Sequence, residues 1–144
     1  EAIPFAVFKP TGFGRIDLYE KVGENSVLTE AEQQEWNRVI ARFDTACKTA
    51  HEKDVLLLID AEETWIQDPI DRLAIELMAI YNKEKVVVYN TYQLYRHDRL
   101  RFLQMSHSIA KDKQFLLGIW TKAFPSGSQF IGSNNSIYFC LLFF

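Results

Sequence analysis

The sequence predicts an α/β fold with parallel strands, and three observations carry that prediction. Short, wholly apolar runs recur at residues 5–8, 55–59, 86–89 and 115–119. Each is too short for a helix of its own and shows no polar alternation, as suits a strand covered on both faces. Amphipathic stretches of helical period separate the runs. Strand, helix, strand, helix, strand, helix, strand requires parallel strands joined by crossovers, normally right-handed.

Each element has a local reason. Phe5-Ala6-Val7-Phe8 is entered through Pro4 and stopped by Lys9-Pro10, and a glycine-containing loop follows. Thr29 with Glu32 three residues on is a capping box, in which hydroxyl and carboxylate each satisfy a free amide at a helix start. The helix it opens places Trp36, Val39, Ile40, Phe43, Cys47 and Ala50 on one face. The second strand, residues 55–59, is stopped by Asp60. Asp68-Pro69 offers a cap and a proline at the first helical position, after which Ile70, Leu73, Ala74, Leu77 and Tyr81 share a face. The third strand ends at Asn90. A third helix runs from about Asp98 through Leu100, Leu103 and Ala110, and residue 115 opens the fourth strand.

The 144 residues carry 16 basic and 19 acidic side chains, a net charge of -3, with 48% hydrophobic and 24% charged residues. That composition is globular, without the basic footprint of a nucleic-acid binder or a polybasic membrane anchor. No run approaches the roughly 18 to 20 apolar residues of a membrane span, and no signal peptide is visible. Cys47 and Cys140 give neither a disulfide framework nor metal-ligand spacing, so a reducing compartment is expected.

Asp60 and Asn90 mark strand-to-strand spacing of one β/α unit, and eight such units would need roughly the 250 residues of a TIM barrel. The chain therefore reads as a partial barrel, with about four parallel strands and three crossover helices over residues 1–119. A small doubly wound sheet competes on length, but no glycine-rich phosphate turn follows its first strand. Residues 120–144 read as a separate tail. From Ala123 to Phe144 it holds no charged residue and ends in Ile137-Tyr138-Phe139-Cys140-Leu141-Leu142-Phe143-Phe144. An unnatural end, from a frameshift or a truncated gene, is the favoured reading; a final buried strand is the alternative.

In a parallel barrel every strand ends at one mouth, where catalytic groups sit. Lys9, Asp60 and Asn90 then converge there from three separate stretches, with Lys9 and Asp60 able to hold each other charged. Glu62 and Glu63 read as the solvated start of a loop, and no further ligands complete a metal shell with Asp60. His51, His97 and His107 read as surface residues. Thr11-Gly12-Phe13-Gly14 is only a turn, and Asn134-Asn135-Ser136, formally a glycosylation acceptor, carries no weight.

Phe5-Ala6-Val7-Phe8-Lys9-Pro10-Thr11, Leu57-Leu58-Ile59-Asp60-Ala61-Glu62-Glu63 and Val88-Tyr89-Asn90-Thr91-Tyr92-Gln93 with Tyr95 resemble successive strand-end motifs of the proline dehydrogenases, over about residues 3–119. That resemblance implies a distorted TIM barrel that oxidises L-proline to 1-pyrroline-5-carboxylate, passing a hydride to FAD and electrons on to a membrane quinone. It implies that Lys9 neutralises the proline carboxylate, that Asp60 is the catalytic residue in the substrate pocket, and that Val88 and Asn90 touch the isoalloxazine ring. It also implies a bacterial cytoplasmic location, at most peripheral to the inner membrane, or alternatively a mitochondrial one. After Ile119, Trp120-Thr121-Lys122-Ala123-Phe124-Pro125 departs from the family pattern, which has a basic flavin contact and a tyrosine there. The later strands and a paired-arginine helix are absent, so half a site is expected, inactive alone. Two alternatives stand beside it: a non-catalytic half-barrel that self-associates through open edges, and a Schiff-base aldolase, which Asp60 disfavours by keeping Lys9 charged.

Overall fold

Five parallel strands form one sheet in chain order, β1-β2-β3-β4-β5. The computed structural model describes residues 5–122 and 137–141. Strands β1 (Ala6–Phe8), β2 (Leu57–Ile59), β3 (Val88–Gln93) and β4 (Leu117–Lys122) are the four expected ones. Helices α1 (Ile16–Gly23) and α2 (Glu30–Lys53) join β1 to β2, α3 (Gln67–Tyr81) joins β2 to β3, and α4 (Arg99–Lys113) joins β3 to β4. The fold is α/β of partial-barrel type. Strand β5 (Ile137–Leu141) comes from the tail and pairs with β4, and β4 itself runs three residues into that tail. The Asn134-Asn135-Ser136 motif lies outside the described residues.

The capping box forms as the sequence requires: Thr29 Oγ1 accepts from the Glu32 amide at 3.2 Å, and the Thr29 amide donates to Glu32 Oε2 at 2.9 Å. Lys21 and the Thr29 amide hold the Glu32 carboxyl at about 2, below its ordinary 4.5. Of the expected α2 stripe, Val39, Phe43, Cys47 and Ala50 are buried, whereas Ile40 is exposed at the edge of the face. Asp68 does not cap α3. A 3-10 turn at Thr64–Ile66 runs directly into the helix, so Asp68 falls inside its first turn. Residues 16–23, expected as loop, form the short helix α1, whose Leu18 and Tyr19 are buried.

Strand β1 is not covered on both faces. It lies at the sheet edge, and Val7 is 56% exposed. Strand β3 is buried throughout and continues three residues past Asn90. Its start is set by Asn82 at the end of α3: the Val87 and Val88 amides donate to Asn82 Oδ1 at 3.0 and 2.9 Å, and Asn82 Nδ2 donates to the Val88 carbonyl at 2.8 Å. Gly118 admits no side chain, since a Cβ there would lie 2.3 Å from the Val88 carbonyl oxygen.

Register divides the sheet into two faces. Phe8, Ile59, Asn90 and Ile119 stand side by side, and Ile59 and Ile119 pack with Val39, Phe43 and Ile70 of the helices. Because side chains alternate along a strand, Leu58 and Tyr89 point to the other, inner face. There Leu58, Val86, Tyr89 and Trp120 form a second apolar cluster with Phe5, whose ring meets Tyr89 and Trp120 edge-on.

Candidate functional site

Lys9 and Asp60 each follow the last paired residue of their strand, Phe8 and Ile59, and so fall in the inward-facing row. Thr91 and Trp120 occupy the same row from β3 and β4, and Gln93 and Lys122 the inward row beyond it. The inner face is thus an apolar floor with a polar rim at the carboxyl ends of the strands, where parallel sheets carry their chemistry.

Asp60 stands between two lysines. Lys122 Nζ lies 2.5 Å from its Oδ1 and Lys9 Nζ 3.6 Å from its Oδ2. Lys122 is the tighter partner and also donates to the Ala61 carbonyl at 3.1 Å. The Lys9 side chain is 64% exposed and the Asp60 side chain 16%. Two ammonium groups flank one carboxylate, and the more exposed Lys9 is the one that an anionic ligand could reach. Gln93 Nε2 donates to the Glu62 carbonyl at 2.9 Å, while its Oε1 is buried with no hydrogen-bond partner among the described residues. Thr91 Oγ1 donates to the Ile59 carbonyl at 2.8 Å, tying β3 to β2.

Val88 and Asn90 are placed elsewhere. Val88 is fully buried in the helix-facing core, and Asn90 is mid-strand on the same face, its Nδ2 donating to Asp71 Oδ1 at 2.8 Å. The reading of Asn90 as a strand end is corrected by β3 continuing through Thr91, Tyr92 and Gln93, which puts Asn90 one step out of phase with Asp60. Neither side chain faces the mouth. Glu62 is corrected too: it is half-buried, and its carboxylate accepts from the Thr11 amide at 2.9 Å and from Thr11 Oγ1 at 2.7 Å, stapling the turns after β1 and β2.

Behind the sheet lies a second charged cluster. Asp71 Oδ1 accepts from Gln67 Nε2 at 2.8 Å as well as from Asn90, and Asp71 Oδ2 from Arg99 Nη1 at 2.6 Å. Burial pushes the Asp71 carboxyl up, against the pull of these three donors. Burial also opposes the Arg99 charge, but Asp98 and Asp71 outweigh it and raise its pKa. Cys47 is no nucleophile, since burial, with Asp44 adding, pushes its thiol up to about 12. Among the described residues no group of three His, Cys, Asp or Glu side chains is placed to hold a metal ion. His51 and His97 are exposed, and His107 is half-buried.

Sequence reasoning missed Lys122 and Gln93. The signal for both was present, since each is the polar residue closing an otherwise buried strand; only the strand ends were misplaced.

Comparison with known proteins fits this geometry. The family model described as proline dehydrogenase matches residues 8–120, a stretch that includes Lys9, Asp60 and Gln93. The carbapenem antibiotics biosynthesis protein CarD of Pectobacterium carotovorum subsp. carotovorum is 34% identical over 119 residues, covering 83% of this chain and 32% of CarD. The mitochondrial proline dehydrogenase 1 of Drosophila melanogaster is 36% identical and that of Homo sapiens 34%, each over 93 residues, or 65% of this chain and 14% and 16% of theirs. No solved structure matches. The chain thus spans a third or less of the length of these curated relatives. With the family match covering most of its strands and helices, the chain belongs to the proline dehydrogenase family.

Proposed function

We propose that this chain supplies four successive strands of a site that oxidises L-proline with FAD, and that Lys9, Asp60, Gln93 and Lys122 are its contribution. The observation that carries the reading is the Lys9–Asp60–Lys122 cluster above an apolar inner floor. The residues fit a flavin. Gln93 Oε1, without a hydrogen-bond partner among the described residues, suits an N–H edge, and Lys122 supplies a cation in the same inward row. When bound, FAD would supply the hydride acceptor.

This chain's own residues bind and orient. Lys122 already occupies one oxygen of Asp60 at close range, so the looser and more exposed Lys9 is the cation left to take a carboxylate such as that of proline. The carboxylate of Asp60 lies 3.6 Å from Lys9 Nζ, a placement that suits an ion pair better than an imine-forming amine. Val88 and Asn90 take no part through their side chains. A membrane quinone as final electron acceptor, and peripheral membrane association in bacteria or in mitochondria, complete the reading.

The 144-residue chain alone is proposed not to turn over proline and to hold FAD only weakly. Titration with FAD, followed by flavin fluorescence, should show weak quenching that Lys122→Met diminishes further. No quenching at high protein concentration would overturn the reading.

A second reading, a non-catalytic half-barrel that pairs with another copy of itself, is favoured by one observation. Among the described residues β1 pairs with β2 alone and exposes Val7, and on its other face a mostly apolar groove of about 720 Å³ is lined by Ala6, Ala41, Ala46 and Leu57. Light scattering separates the two: a stable dimer without flavin quenching would favour it.

A further inference from the structure

The loop that follows Asp60 is held at three of its backbone carbonyls by side chains from elsewhere in the fold. Lys122 Nζ donates to Ala61 at 3.1 Å, Gln93 Nε2 to Glu62 at 2.9 Å and Arg96 Nη1 to Thr64 at 2.9 Å. Lys122 and Gln93 belong to the inward rows already described. Arg96 does not: it stands in the loop between β3 and α4.

Its guanidinium is itself fixed. Nε and Nη2 donate to the two oxygens of Asp98 at 3.0 and 2.8 Å. Asp98 shares those oxygens with Arg99, whose Nη1 reaches the buried Asp71 between α3 and β3. A chain of alternating charge therefore runs from the interior of the helix layer to the loop that carries Asp60. Arg99, then Arg96, holds the Asp98 carboxyl well below the usual range, so the link stays charged at any working pH.

We propose that Arg96 is a positioning residue: it locks residues 61–64, and through them the Asp60 carboxylate, in place at the mouth, with Asp98, Arg99 and Asp71 as its anchor. The planar fork of an arginine grips both oxygens of a carboxylate in fixed geometry while a third N–H reaches a carbonyl, whereas the ammonium of a lysine sets no such fixed orientation. Only about a fifth of the Arg96 side chain is exposed, yet it packs into neither apolar cluster, so its removal should loosen two loops without unfolding the sheet. The consequence for a bound flavin or proline rests on the function proposed above; the locking of the loop does not.

Hydrogen exchange by mass spectrometry on the whole 144-residue chain tests it. Arg96→Met should speed exchange in residues 61–66 and 94–98 together, by about tenfold, the scale of a lost charge-assisted bond. Residues 43–50 of α2 and the melting temperature should be little changed. Asp98→Asn should reproduce the effect in the same two segments, and Arg96→Lys should fail to restore the first. Faster exchange confined to 94–98, or a uniform rise that includes α2, overturns the proposal. A parallel FAD titration keeps the two readings apart. If the parent chain binds no flavin while the loops respond as described, the lock stands and the proposed function falls. If the parent binds and Arg96→Met binds equally well, Arg96 positions nothing.

Discussion

Asp60 and Asp71 lie on either side of one strand-to-helix loop, and each faces cations. Asp60 has lysines at 2.5 and 3.6 Å, one of them largely in solvent. Asp71 is sealed between α3 and β3, with an arginine at 2.6 Å and two side-chain amides completing its shell. The difference separates two uses of charge. A buried pair with both carboxylate oxygens engaged fixes geometry and admits no ligand, whereas a more open carboxylate with one tight and one loose cation can exchange a partner.

The largest effect should come from breaking the sealed cluster. Arg99→Met leaves the Asp71 carboxylate uncompensated and should cost about 3 to 5 kcal/mol in urea unfolding, enough to unfold a marginal domain. A loss under about 1 kcal/mol would mean that Asp71 neutralises itself by taking a proton.

At the mouth the same kind of deletion should behave differently. Asp60→Ala removes a partly solvated group and should change stability by no more than about 1 kcal/mol, yet abolish the flavin quenching of the parent chain. Equal loss of melting temperature and binding would make Asp60 structural and erase the contrast. The two lysines refine it further. Lys122→Met should weaken flavin binding, whereas Lys9→Met should leave it nearly intact and, in a longer chain that turns over proline, raise KM. Borohydride reduction with a carbonyl substrate should leave the mass of Lys9 unchanged; a trapped adduct would return the aldolase reading.

The smallest effect concerns a third carboxylate, Glu32, on neither side of that loop. Its folded pKa lies below its ordinary 4.5, so its stabilisation is complete above that value and is lost as the pH falls toward about 2. Glu32→Gln keeps the capping geometry and should flatten the acid limb of the stability profile in that window. An unchanged limb would assign acid sensitivity to other groups.

Much of this was legible beforehand. Four apolar runs became four parallel strands in the expected order, and the Thr29 and Glu32 side chains alone announced the start of α2. Lys9 and Asp60 were singled out because polar residues that end apolar runs are conspicuous, and the structure brings the two within 3.6 Å. Asn90 misled for a related reason: it interrupts an apolar run without ending the strand, because the buried amide has a carboxylate waiting on α3, a partner far away in sequence. Lys122 was overlooked because residues 120–125 were read against a family pattern instead of being counted along β4. The fifth strand stood only as the alternative to an unnatural end, although continuous apolarity is what a strand within a parallel sheet shows. Helix α4 starts where its pattern placed it, and Leu103 and Ala110 of that pattern face the core. Leu100, however, is 67% exposed, and the helix buries Arg99 and Ser106, whose partners lie on other elements or one turn back.

The alternation along β3 has a consequence for how this sequence can vary. Exchanging one residue for another between Val88 and Gln93 changes one chemical group on one face. Deleting or inserting a single residue there would turn the strand over: the amide that serves Asp71 would be delivered to the mouth, and the rim glutamine would be driven in among the helices. Length, more than composition, is therefore the property of this segment that drift can least alter, and a library that varies its letters should yield many folded members where one that varies its spacing by a single residue yields few.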